Sequence, residues 1–480
     1  MRTTSEVIAQ YRIRLRSRSR TFGTVWGLAL LVAGYAQAQD PLCVVPAGPN
    51  VNIAVVRLDS NGAVDPSFGQ NGVRQFDLGP NAGDVGDTVW SLARDAQDRL
   101  LVFAAAKGPE TQVDRDRVVI RLTPDGALDT TFATEGVYTL NVGNLNDNAR
   151  NGIVLPDGHI MAAGYASQPT GTGTQSANRA VLLRLHDDGT PDESFGYQGV
   201  VNENPFIPDD PATQPWGMVE AYAVGQQSSG HYVTTGYGRS AASAATATET
   251  VDMISIRLTP DSRLDPAWGV GGAVVFDLIG ENDRGRHLAV LPDDRILIVG
   301  TATPVIGNGD ALVAVLNADG TLDTTFDADG VKTYDFGGTD ENWYGLALAP
   351  SGNWAAAVGY SVSEGVDGRA TLVLLPLPGG ADVSQVVPLS PAGDNRFWSV
   401  AFDASERIYA AGHVTVNGDN AMVVVRLTTD GVIDPTFGVD GVAAVNLVAA
   451  GTDESARGIA IQADGKIVIA GTVEAEATQP

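Results

Sequence analysis

Seven side chains recur at one place in a repeating sequence, about 60 residues apart, and belong to only two chemical kinds: Trp90, Arg150, Tyr222, Arg286, Tyr344, Trp398 and Arg457. Aromatic faces stack on sugars and planar groups, and a guanidinium presents a flat fork of donors that grips carboxylates and phosphates. Acids precede most of them: Asp87, Asp147, Asp283, Asp340 with Glu341, Asp394, and Asp453 with Glu454, with Asn148 and Asn342 beside two of these. Oxygen-only donors suit a hard cation, so Asp147, Asp283, Glu341 and Glu454 are candidate ligands for Ca²⁺. Two arrangements are open. Either the seven side chains surround a channel mouth and take an anionic or glycan ligand, or the arginines pair with Asp147, Asp283 and Glu454 while the aromatics pack between repeats.

Self-sufficient catalytic strings are absent: there is no G-x-S-x-G, no H-E-x-x-H, no paired C-x-x-C and no complete G-x-x-x-x-G-K. The five histidines, at 159, 186, 231, 287 and 413, are scattered and read as residues on strands or at strand ends. "DADG" at Asp327 lacks the spacing of a calcium loop and reads as a tight turn.

The elements that must position these residues are short strands. One apolar strand recurs as "IAVVRL", "RVVIRL", "AVLLRL", "MISIRL", "ALVAVL", "ATLVLL" and "MVVVRL", and a second, ending in a small pair, as "HIMAAG", "RILIVG", "KIVIAG" and their counterparts. Strands apolar on both faces require sheets on either side, which radial repetition supplies. The expected fold is therefore all-β: a seven-bladed β-propeller of four-stranded antiparallel blades over residues 53–475. The chain starts with the third and fourth strands of a unit and ends with the first and second, so one blade is expected to be a composite of both termini that closes the ring.

Between the third and fourth strands lies a repeated loop, "DGVIDPTFGVDG" in its last copy. Asp434 is expected to accept the amide of Thr436, Phe437 to plug the space between blades, and Gly441 to take a positive φ. The counterparts of Phe437 are Phe68, Phe132, Phe195, Trp268 and Phe326. With "RLTTDGVIDPTFGVDG" and "QADGKIVIAG" as its clearest copies, the chain from Ile53 to Val473 resembles the delta-60 repeat family. The resemblance implies a propeller-like extracellular protein and no activity. One unit, "LLPLPGGADVSQVVPL", departs from the pattern, with Gln385 where Phe is expected.

Residues 1–38 read as a secretory signal peptide: arginines at 2, 12, 14, 16, 18 and 20, the apolar run Phe22 to Tyr35, and Ala36-Gln37-Ala38. An arm at 39–52 and a tail at 476–480 flank the repeats. Removing six Arg and one Glu from 30 Lys+Arg and 57 Asp+Glu leaves 24 against 56, a net charge of −32, which repels nucleic acid and anionic membranes. The single Cys43 excludes an internal disulfide and reads as a small apolar residue of the arm. Loop insertions near residues 167, 203 and 239 are rich in Gly, Ser, Thr, Ala and Pro and enlarge one sector of a face. The sequence thus favours a monomeric, secreted or periplasmic binding or scaffolding propeller with a glycan or protein partner and no membrane span. A propeller enzyme, a metal-assisted hydrolase or lyase using acids and arginines, is the alternative, and a purely structural surface module a third. N-terminal sequencing of the exported chain is expected to begin at Gln39; an exported chain that keeps residues 1–38 contradicts the signal peptide.

Overall fold

The computed structural model describes residues 50–78, 86–107, 114–143, 145–170, 176–207, 217–240, 250–278, 282–305, 308–363, 365–377, 379–389, 393–416, 418–448 and 454–475. The signal segment, Cys43, Asp453, the tail and the central parts of the three insertions lie outside them. Among the described residues every element is a strand, and no helix is long and apolar enough to cross a membrane.

The strands form five four-stranded antiparallel sheets and one eight-stranded sheet. The latter is two four-stranded arrays joined by a single parallel pair, Gly309 with Asp340. Each array runs from a first strand, through a tight turn, to a second, a third and a short fourth. One array takes its first two strands, Ser455–Ile461 and Ile467–Ala475, from the C-terminus and its other two, Asn50–Leu58 and Val73–Phe76, from the N-terminus. The pairing starts at Asn50 with Ala475, so the third strand begins three residues before Ile53. Middle strands such as Leu100–Lys107 are buried on both faces, as sheets covered on either side must be.

The third-to-fourth loop fastens each array to the next. Asp434 Oδ1 accepts the amide and hydroxyl of Thr436 at 3.0 and 2.7 Å, and Oδ2 accepts Arg426 Nε at 2.8 Å. Arg426 then donates to the Ser60 carbonyl of the neighbouring array at 3.1 Å and lies 4.9 Å from the Phe437 ring centroid. Phe437 is fully buried, and a β-carbon at Gly62 would stand 3.0 Å from its ring, so the plug needs a glycine across the seam. The same assembly recurs as Arg57–Asp65–Phe68 against Gly126 and Arg121–Asp129–Phe132 against Gly189. Gly441 and its five counterparts all have φ between 80° and 95°.

Two expectations differ in detail. Phe326 is only partly buried, and Gln385 lies on the fourth strand Val383–Val386 rather than in the loop. Its side chain nonetheless reaches the plug position, because Gln385 Nε2 donates to the Gly431 carbonyl of the next array, the glycine a plug would cover. Phe437→Ala is expected to lower stability by about 3–5 kcal/mol in equilibrium denaturation. A loss under about 1 kcal/mol would show that the loop does not fasten the arrays.

Candidate functional site

Every first strand carries a β-bulge at the same place. The pairing register jumps between Val89 and Ser91, Ala149 and Asn151, Ala221 and Ala223, Gly285 and His287, Trp343 and Gly345, Phe397 and Ser399, and Ala456 and Gly458. The skipped residues are Trp90, Arg150, Tyr222, Arg286, Tyr344, Trp398 and Arg457, the seven singled out from the sequence. A bulge leaves one residue out of the ladder, sharpens the local twist and re-aims its side chain.

The small pair ending the second strand permits the bulge. A β-carbon at Gly236, Gly300, Gly359 or Gly412 would come within 1.7–1.9 Å of the carbonyl oxygen of Glu220, Arg284, Asn342 or Arg396 on the bulged strand. Glycine lets the backbone approach that closely, while the Thr88–Arg94 array makes the same bulge with Ala104 at the equivalent place. The recurring Ala-Gly was visible in the sequence as a strand marker, and its connection to the seven side chains was missed there.

The seven residues form an unbroken line of contacts. The Arg150 guanidinium lies 3.9 Å from the Trp90 ring centroid and 4.5 Å from that of Tyr222. Arg286 sits 4.8 Å from Tyr222 and 4.9 Å from Tyr344. Tyr344 meets Trp398 edge to face at 4.8 Å, and Arg457 stacks on Trp398 at 3.7 Å. Second-strand tyrosines back the line, with Tyr165 and Tyr237 against Arg150 and Arg286 and Tyr360 against Trp398.

Charge pairing along this line is incomplete. Arg150 meets Glu220 at 3.4 Å, while Arg286 and Arg457 have no carboxylate partner among the described residues. Arg457 is pushed down to about 10, first by burial and then, against the pull of Tyr344 and Tyr360, by the charges of Arg396 and Arg150. It stays charged at neutral pH and keeps some exposed surface although it is crowded by protein. Beside the line, burial pushes His287 down to about 4, leaving it neutral. Its Nδ1–H donates to the Leu288 carbonyl at 3.0 Å, and Nε2 faces the Asn151 amide at 3.3 Å. His287 is thus engaged on both nitrogens.

The four acids read as cation ligands are not brought together. Asp147 accepts the amide of Val142, Asp283 that of Leu278 at 2.7 Å, Glu341 those of Phe336 and Gly338, and Glu454 those of Leu447 and Val448. Each closes the loop that leads into its own first strand, and among the described residues none forms a salt bridge with the seven-residue line. The expected arginine pairing with Asp147, Asp283 and Glu454 is replaced by the single Arg150–Glu220 contact. A separate cleft of about 500 Å³ is lined by Arg57, Asp98, Asp464 and Lys466, with Arg57 paired to Asp65, Asp98 to Arg94, and Lys466 to Asp464.

A family model described as "Domain of unknown function (DUF5122) beta-propeller" matches residues 30–68, 113–132, 155–195, 291–326 and 406–437. The fold is that of a β-propeller. Among solved structures, this propeller is similar to a periplasmic gluconolactonase of Pseudomonas aeruginosa, at 14% identity over 83% of this chain and 100% of that one, with a TM-score of 0.42. It is also similar to the polysaccharide lyase Uly1, at 8% identity over 88% and 98% of the two chains with a TM-score of 0.41. A Hadza microbial sialidase, Hz136, gives 11% identity over 68% and 63%, with a TM-score of 0.42. No curated protein matches the sequence.

A crowded cation without a counter-charge opposes folding. Arg457→Met is therefore expected to change the unfolding free energy by between zero and about 1 kcal/mol in the stabilising direction. A loss above about 2 kcal/mol in urea denaturation would make Arg457 a structural residue instead.

Proposed function

We propose that the arrays close into a seven-bladed propeller of the delta-60 type and that the line from Trp90 to Arg457 surrounds its axis as a binding site for a carboxylated glycan. Support for closure comes from the packing of the first strands: Ser455–Ile461 on Thr88–Arg94, then in turn through Asp147–Val154, Met218–Gln226, Asp283–Val290, Asp340–Leu348 and Asn395–Phe402 back to Ser455–Ile461. The composite array and the Phe437–Gly62 contact lie on the same circuit.

The observation that carries the functional reading is the pair of guanidinium groups, Arg286 and Arg457, held between aromatic faces without a carboxylate of their own in a chain of net charge −27. Such a site favours a ligand that brings an anion to the arginines and a stacking face to Trp398, Tyr344 and Tyr222. A uronic or sialic acid at the end of a glycan has that chemistry. The N-terminal segment supports export, so the partner is extracellular or in the cell envelope. A protein partner presenting acidic side chains and a metal-assisted hydrolase or lyase activity are the competing outcomes; beside the line, His287 is engaged on both nitrogens.

Titration calorimetry with uronate- or sialate-terminated oligosaccharides is expected to show binding that weakens with salt, against none for their neutral counterparts. Arg286→Met is expected to weaken it at least about tenfold, the scale of one lost charged hydrogen bond. Equal binding of neutral and acidic glycans, or unaltered binding by a folded Arg286→Met chain, overturns the reading, and cleaved products in the same mixtures would favour the enzyme.

A further inference from the structure

His413 stands where three other arrays carry a tyrosine. It follows Gly412 on the strand Ile408–Val416, as Tyr165, Tyr237 and Tyr360 follow the corresponding glycines of theirs, and it is 7% exposed. Its Nδ1 meets the hydroxyl of Ser455 at 3.2 Å and the indole Nε1 of Trp398 at 3.3 Å. An indole N–H only donates, so in the neutral ring Nδ1 carries the lone pair and the proton sits on Nε2. Nε2 is buried, makes no hydrogen bond, and faces Asp394 Oδ2 at 3.5 Å.

Burial pushes the Asp394 carboxyl up, but the contacts of His413 and Arg396 outweigh it and hold the group below its ordinary value, so it is ionised. Its Oδ1 is fixed separately by Arg396 Nε at 2.8 Å and the Gly368 amide at 3.0 Å. Ser455 is half-buried and begins the first strand of the composite array, which packs against the strands that carry Asp394 and His413. The order is carboxylate, ring N–H, ring lone pair, hydroxyl. A buried ring nitrogen left unpaired costs stability, and a proton relay needs it open toward an ionised carboxylate. None of the three residues lies in a catalytic string, so the sequence does not mark them.

We propose that Ser455, His413 and Asp394 are the nucleophile, the general base and the positioning residue of an esterase centre beside the line. Ser455 Oγ attacks the carbonyl carbon of a carboxylic ester while its proton passes to His413 Nδ1, and Asp394 stabilises the imidazolium so formed. That proton goes to the alkoxy oxygen as its bond to the carbonyl carbon breaks, which releases an alcohol and leaves an acyl-serine. Water then attacks the acyl carbon and gives a proton to Nδ1, which returns it to Ser455 as the carboxylic acid departs. The Asp394–His413 contact is long at 3.5 Å, as such contacts are before substrate binds, and it shortens when the ring takes its charge. Arg457 stacks at 3.7 Å on the indole that touches His413 and is the cation available to the oxyanion. That the ester belongs to an acylated acidic glycan rests on the anion-site reading of the line; the ester chemistry does not.

Treatment of the mature chain with a fluorophosphonate, which an activated serine captures by displacing fluoride, is expected to modify Ser455, located by peptide mass spectrometry. Turnover of nitrophenyl acetate is expected to stop as that site fills. Ser455→Ala is expected to lose both with an unchanged melting temperature. His413→Gln is expected to slow both at least about 100-fold, and Asp394→Asn to lower kcat at least about tenfold with KM unchanged, a split that a merely structural aspartate does not give. A folded parent chain that takes no label at Ser455 overturns the proposal, as does a Ser455→Ala chain that hydrolyses the ester as fast. These two results decide even where His413→Gln or Asp394→Asn does not fold. The label is read without any glycan, so failure here and failure of the Arg286 binding test are told apart.

Discussion

Everything else in this molecule depends on the fastening of one sheet to the next by an arginine, an aspartate and an aromatic ring. Sheets apolar on both faces have no stability alone, since each must be covered on either side. The burial of a ring such as Phe437 contributes roughly 1.5–3 kcal/mol, without fixing direction. The arginine supplies direction: Arg426 is held by Asp434, lies over Phe437 and donates to a carbonyl of the adjacent array, so one side chain sets both the loop and the seam. Where the ring is replaced, at Gln385, an amide reaches the same glycine and the seam is kept by a hydrogen bond.

A second constraint acts inside each sheet. The bulge in the first strand puts one side chain out of the ladder, and the glycine opposite makes room for the displaced carbonyl. Repetition of that bulge carries seven side chains into contact, so the scaffold makes an alternating surface of cations and aromatic faces from identical backbone. Arg457, crowded by protein without a carboxylate of its own among the described residues, holds its charge at a cost to folding.

The scaffold was legible because it is repeated. Alignment of the loops gave the turn of Asp434, the plug Phe437 and the positive φ of Gly441 correctly, and alignment of the first strands placed even Tyr222 in register. The arginine of "RL" was visible but unassigned, since its role crosses a seam between residues hundreds apart, such as Arg426 and Ser60. The acids were less legible. Asp147 and Glu454 look like free ligands in one dimension, yet each spends an oxygen on a loop amide.

The claim that carries the account is that Arg286 and Arg457 present an anion site rather than a packed core. It is tested most directly by locating a heavy halide in crystals of the mature chain soaked in bromide. The account predicts anomalous density in hydrogen-bond reach of the Arg286 or Arg457 guanidinium, between the faces of Tyr344 and Trp398. Density confined to exposed surface cations, with both guanidinium groups closed off by protein carboxylates, would contradict it.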